Sequence, residues 1–188
     1  MNILRTAFAG ALFLATATGA FVAQAADFIT IQLKDGPVVI ELNDKAPKHA
    51  ERIKALAAAG EYDNVAFHRV IDGFMAQTGD VQYGDMENGY QPQAAGTGGS
   101  SQPDLPAEFS DIPFERGTVG MARAQDPNSA NSQFFIMFAP GDFLNGQYTV
   151  VGKVVSGMEN VDKIKRGDDA NNGSVSDPDR MIKVTVGK

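Results

Sequence analysis

The sequence predicts a mainly β fold: a closed β-barrel of about eight strands with two helices over its open ends. Three observations predict it. Short apolar runs with alternating polarity recur along the chain, 20 glycines and 9 prolines punctuate them, and only two stretches switch to helical spacing. The 188 residues, 43% hydrophobic and 21% charged, suit one domain large enough to bury a substantial core.

The first 25 residues stand apart from that domain. "MNILRTAFAGALFLATATGAFVAQA" has one charge, Arg5, then a long apolar run, then Ala23 and Ala25 around Gln24. This predicts an export signal cleaved after Ala25, leaving residues 26–188 as the domain. The alternative, a retained transmembrane anchor, conflicts with Thr16, Thr18 and Gly19 in the apolar run and with the A-x-A site. Cleavage removes one base and no acid, so the formal charge of −7 becomes −8. An acidic surface repels phosphate, which argues against nucleic acid as partner. With no cysteine, the protein has no disulfide, thiolate metal site, thiol chemistry or lipid-anchoring thiol. An exported chain of this kind suits a bacterial periplasm, free of the membrane once the signal is gone.

The elements follow in order. "DFITIQLKDGPVVIELN" is two alternating runs, Phe28 to Leu33 and Val38 to Leu42, around a turn containing Asp35, Gly36 and Pro37, and reads as a β-hairpin. In "DKAPKHAERIKALAAAGEY" the apolar residues Ala46, Ala50, Ile53, Leu56 and Ala57 recur at three or four, between Pro47 and Gly60. That is an amphipathic helix with its start and stop signals, and it places His49 on the polar side. Strand-like runs follow at Val65 to Val70, Phe74 to Gly79, Thr118 to Arg123, Phe134 to Phe138 and Tyr148 to Val154. Met158, Val161 and Ile164 suggest a second helix over Met158 to Lys165, and Met181 to Val186 forms the last strand. Between Val81 and Arg116 lies a long Gly-, Gln-, Ser- and Pro-rich stretch, the kind of loop that usually carries function.

Chemistry concentrates in "FHRVIDGFMAQTGD", Phe67 to Asp80. Strand parity puts Met75 and Gln77 on one face, and Gln133 and Phe135 of "SQFFIMF" on one face. With Arg69 turned the same way, they form a groove of arginine, two amides, methionine and phenylalanine, and His68 faces the other side. Each residue alone reads as structural, but amides flanking an arginine beside apolar surface serve no evident stability purpose. Other chemistries lack their parts. The two histidines have no zinc-site spacing, no G-x-S-x-G elbow exists, and "GTGGSS" lacks the lysine of a phosphate loop. The acidic loop "GDDANNGSVSDPD" departs from the EF-hand spacing and lacks its closing Glu, so a solvated loop is the better reading.

Taken in order, "FHRVIDGFMAQTGD", "GTGG", "GTVGMARA", "NSQFFI" and "FLNGQYTVVGKVVSGMENVDKI" resemble the cyclophilin family of peptidyl-prolyl cis-trans isomerases, in a bacterial periplasmic branch. The resemblance spans nearly all of Phe28 to Val186. It implies an eight-stranded antiparallel barrel capped by two helices, a catalytic Arg69 assisted by Gln77, and a proline pocket of Phe74, Met75, Gln77, Phe135, Leu144 and Tyr148. It also implies that the backbone of Ala122, Arg123 and Ala124 pairs with the substrate peptide, that Gln133 is a groove glutamine, and that Gly96 to Gly99 border a second pocket. Phe143 stands where many eukaryotic members carry Trp, Tyr148 where they carry His, and Arg123 where they carry Asn. Losing the indole donor at Phe143 implies weak cyclosporin binding, not lost turnover. The implied partners are proline-containing segments of unfolded or folding exported proteins, met by a monomer with no cofactor or metal. A proline-peptide binding module with the same barrel, and a carbohydrate-binding sandwich, are the competing classes. The second is the weaker, because the chain has no tryptophan and only 4 tyrosines to stack on sugars.

Overall fold

A computed structural model describes residues 27–187; the export signal read at residues 1–25 lies outside them. The chain opens with the hairpin of β1 (Phe28–Leu33) and β2 (Gly36–Leu42). Their alternation is visible in burial: Ile29, Ile31, Leu33, Val38, Ile40 and Leu42 all point into the core. Leu33 pairs with Gly36, so the turn is Lys34 and Asp35, one position before the expected one. Gly36 and Pro37 already belong to β2. Helix α1 (Pro47–Ala59) begins at its proline and ends at Gly60, whose left-handed φ of 77° lets its N–H and that of Glu61 turn back on Ala57 and Leu56.

Next come β3 (Val65–Ala66), β4 (Arg69–Ile71), β5 (Met75–Thr78), β6 (Thr118–Met121), β7 (Phe134–Met137), β8 (Val150–Ser156), α2 (Met158–Val161), β9 (Arg180–Met181) and β10 (Lys183–Gly187). Eight strands form one sheet in the order β10-β1-β2-β8-β6-β7-β5-β4, every pairing antiparallel. The expected closure is only partial. Among the described residues β10 and β4 do not pair. The ribbon β3–β9 forms a separate two-stranded sheet, and Val70 of β4 bonds instead to the later loop, its N–H to the Gly173 carbonyl and its carbonyl to the Gly167 N–H.

Two runs are also more broken than their sequence suggests. Val65 to Val70 divides at Phe67 and His68, because its first half pairs with β9 and its second half with β5. The second helix spans one turn, not Met158 to Lys165. Its apolar residues recur at three, and beyond Val161 the backbone follows that spacing into tight i to i+3 turns, Lys163 to Asn160 and Ile164 to Val161.

The sheet has two apolar faces. Phe134 and Ile136 of β7 point into the main core, where the Tyr62 ring meets Phe134 edge-on at 5.6 Å and the Tyr62 hydroxyl donates to the Ser132 carbonyl. Phe135 and Met137 point outward, joining Met75, Phe114, Leu144 and Val150 in a second cluster. Period two thus builds a second, smaller apolar layer on the outside of the barrel, and the groove lies there.

The long loop is anchored, not free. Asp80, fully buried at 0% exposure, accepts backbone N–H groups from Gln82 and Tyr83 on Oδ1 and from Gly96 and Gly98 on Oδ2. Farther along, Glu108 accepts the backbone N–H groups of Lys48 and His49, supplying the cap that α1 lacks from its own N-cap residue. This corrects the placing of His49 on a polar surface. The loop covers that side of the helix, His49 is 0% exposed, and its Nδ1 lies 2.7 Å from a Glu108 oxygen.

Candidate active site

Strands β4, β5 and β7 lie side by side, so Arg69 pairs with Gln77 and Gln77 with Phe135. Register therefore assembles the groove that parity predicts. An open cavity of about 280 Å³ lies over it, lined by Arg69, Phe74, Met75, Gln77, Ala122, Arg123, Phe135, Phe143, Leu144 and Tyr148. Gln133 sits behind Gln77. Ala124 lies outside the lining.

The polar side is a directed chain. Arg69 Nη1 donates to Gln77 Oε1 at 3.2 Å, Gln77 Nε2 to Gln133 Oε1 at 2.9 Å, and Gln133 Nε2 to the Gly98 carbonyl at 2.8 Å. Each amide has its oxygen toward the cation, so the guanidinium is held by an aligned series of dipoles ending in the loop that Asp80 fixes. Burial pulls Arg69 below the ordinary guanidinium range, opposed by Tyr148, and arginine stays charged under such shifts. On the outer side, Arg69 donates from Nε and Nη2 to the carbonyl and the side-chain oxygen of Asn172, both at 3.0 Å. Asn172 belongs to the acidic loop read as merely solvated. Among the described residues no three carboxylates or histidines gather into a metal site.

The apolar side is built of rings. Phe135 stacks on Phe114 at 5.8 Å and meets Tyr148 edge-on at 6.0 Å, and Phe143, 66% exposed, leans on Phe74 at 5.5 Å. Arg123 lies over the Tyr148 ring at 4.3 Å and donates to the carbonyls of Ala124, Gln125 and Gln147. It fastens the edge of the groove to the turn that carries Tyr148. Of the three residues expected to meet a peptide through their backbone, Ala122 spends its N–H on the Gln133 carbonyl and Ala124 on the Ser129 hydroxyl. Among the described residues, nothing hydrogen-bonds the Arg123 backbone.

Gly120 escaped the sequence reading. A β-carbon there would lie 2.5 Å from the tip of the Phe135 ring and 2.6 Å from Phe114, so only glycine leaves these rings their place. A glycine inside the strand-like run "TVGMAR" is the available signal. Gly120→Ala is expected to push Phe135 into the cavity, costing about 1–3 kcal/mol in overpacking and about three- to tenfold in peptide affinity. A peptide titration beside a melting curve checks both.

His68 is buried beside Gln133, its ring 3.0 Å from where a Gly96 β-carbon would stand. Burial, opposed by the Asp80 charge, lowers its pKa from 6.5 to about 4. Between those values the unfolded chain holds the extra proton. The contribution of His68 to stability is therefore complete above about pH 6.5 and is lost as the pH falls toward 4. His68→Gln is expected to flatten the melting temperature across that window, measured by thermal scans at stepped pH.

An open apolar cavity with a fixed guanidinium at its rim has the parts that the resemblance implies for a protein that handles proline in peptides. The whole chain agrees. The family model "Cyclophilin type peptidyl-prolyl cis-trans isomerase/CLD" matches residues 28–186, and the chain belongs to that family. It is 61% identical over 191 residues to a probable peptidyl-prolyl cis-trans isomerase of Brucella suis biovar 1, covering 99% of this chain and 97% of that one. It is 38% identical over 146 residues to peptidyl-prolyl cis-trans isomerase B of Escherichia coli, covering 73% and 83%. A solved Cryptosporidium parvum cyclophilin-type isomerase superposes with a TM-score of 0.73 at 27% identity, covering 87% of this chain and 98% of that one. The chain is a peptidyl-prolyl cis-trans isomerase.

Proposed function

We propose that this isomerase turns X–Pro bonds in exported proteins as they fold in the periplasm, with Arg69 as its catalytic residue. The barrier to that rotation, about 18–20 kcal/mol, comes from amide resonance, so the reaction needs neither nucleophile nor metal. It needs a site that favours the twisted bond over both planar forms. Twisting returns a lone pair to the proline nitrogen, which becomes a hydrogen-bond acceptor. A guanidinium offers donors in a fixed fork for it.

The observation that carries the reading is the directed chain from Arg69 through Gln77 to Gln133, beside an open apolar cavity. Phe74, Met75, Phe135 and Leu144 grip the proline ring and exclude water, strengthening the field of Arg69. Gln77 holds the guanidinium, Gln133 holds Gln77 in turn from behind the cavity rather than meeting the peptide as the resemblance implied, and the free Arg123 backbone pairs with the substrate chain. Phe143 closes the cavity with a ring that has no donor, which fits weak cyclosporin binding. The protein works as a monomer.

Exchange-broadened NMR spectra of an Ala-Pro peptide test the activity: sub-stoichiometric protein is expected to speed cis-trans exchange. The location has its own test. Ala23 and Ala25 supply the small side chains a signal peptidase requires, so the mature N-terminus is expected at Ala26. N-terminal sequencing of protein from the periplasmic fraction checks it, and an intact Met1 there overturns the export reading.

A further inference from the structure

We propose that Asn172 is a positioning residue for Arg69, holding the guanidinium from the side opposite Gln77; the inference rests on the reading of Arg69 as the group that acts on the twisted bond. One residue supplies two acceptors. The Asn172 carbonyl takes Nε–H and its side-chain oxygen takes an Nη2–H, both at 3.0 Å, while Gln77 takes an Nη1–H at 3.2 Å. The plane of the fork is then fixed at both edges. One hydrogen on each terminal nitrogen remains, and the second on Nη1 faces only the Met75 sulfur, 3.8 Å away. Without Asn172, Gln77 alone would hold the ion at one corner, free to swing about that contact.

The backbone is shaped to deliver these acceptors. Asn172 adopts a left-handed φ of 53°, a conformation asparagine tolerates well, and Gly173 follows at 77°. Gly173 has no room for a side chain, since a β-carbon there would lie 2.4 Å from Ile71. Val70 N–H donates to the Gly173 carbonyl, Gly167 N–H to the Val70 carbonyl, and Val175 N–H to the His68 carbonyl. The loop therefore runs bound along β4, the strand that carries Arg69. Asp168 braces it from within, accepting the Ala170 N–H and the Asn171 side-chain amide. A pair of hydrogen bonds from an exposed loop residue adds little to stability; spent on a half-buried guanidinium, it restricts motion.

The experiment follows the guanidinium N–H signals of Arg69 by NMR, beside kcat and KM for an Ala-Pro peptide, in the parent protein, Asn172→Gly and Asn172→Asp. Glycine keeps the left-handed backbone and its carbonyl but deletes the side-chain acceptor; aspartate restores an oxygen. In the parent, Arg69 is expected to show hindered rotation and slow exchange with water. Asn172→Gly is expected to lower kcat by about three- to tenfold with little change in KM, and to speed both motions. Asn172→Asp is expected to recover the restrained signals and most of kcat. Parental kcat and Arg69 signals in Asn172→Gly would overturn the proposal, as would a loss of kcat with the Arg69 signals unchanged. If Asn172→Gly did not fold, a parent Arg69 rotating and exchanging like an exposed arginine would overturn it equally. A parent that fails to speed peptide exchange would sink the isomerase assignment of Arg69, whereas its restraint by Asn172 is read from the signals without turnover.

Discussion

Arg69→Ala is expected to lower kcat by about 10²–10³ while peptide affinity stays close to that of the parent. In the proposed mechanism the guanidinium acts mainly on a nitrogen lone pair that exists only when the bond is twisted. Its removal therefore raises the barrier by roughly 3–4 kcal/mol, by analogy with deleting one oxyanion donor from a water-poor site. Arg69→Lys should recover little. A single ammonium cannot reach the acceptors of Gln77 and Asn172 together, so neither edge of the fork is held. Truncating the ring pocket by Phe135→Ala should instead damage affinity and rate together, since ring packing is present in planar and twisted states alike. The measurements are a protease-coupled or NMR rate and an independent peptide affinity, with circular dichroism to confirm folding. Parental turnover in folded Arg69→Ala would remove Arg69 from the catalytic role.

Asp80→Ala is expected to be the most damaging single change to stability outside the main apolar core. Its two oxygens serve four backbone N–H groups, Gln82 and Tyr83 on one side, Gly96 and Gly98 on the other. Removing the carboxylate strands four half-buried donors, at a cost of about 3–5 kcal/mol. For a domain of this size that lowers the melting temperature by about 10 °C. Asp80→Asn should rescue little, because its amide group would turn N–H donors toward one of the two donor pairs. Activity should fall as well, since Gln133 is held by the carbonyl of Gly98. Calorimetry on both variants decides the matter; a parental melting temperature in either would show that the loop stands without this anchor.

Much of the fold is written locally. Pro47 and Gly60 bracket α1 because one lacks an N–H that the first turn cannot use and the other accepts a left-handed φ. The alternation of Phe134, Phe135, Ile136 and Met137 separates the two apolar layers before any partner is known. Met75, Gln77 and Phe135 could be placed on a common face for the same reason. His49 could not. Helical periodicity puts it on a polar side, and only Glu108, 59 positions away, converts that side into a buried one. Asn172 was hidden likewise, 103 positions from Arg69 in a loop whose composition reads as solvated.

The sequence by itself determined the mainly β class, the first helix and the strand faces that turn Met75, Gln77 and Phe135 to one side, while the rest of the cavity lining was implied by the family resemblance. The class, the helix and the faces depend on periodic burial and on backbone preferences, which each short segment carries with it. Only the tertiary structure decided how far the barrel closes, where the second helix stops, and which groups hold Arg69 and Asp80 in place. The reason is physical. A hydrogen bond between distant segments is fixed by where loops come to rest, and an asparagine that caps a turn has the same local pattern as one that orients an arginine.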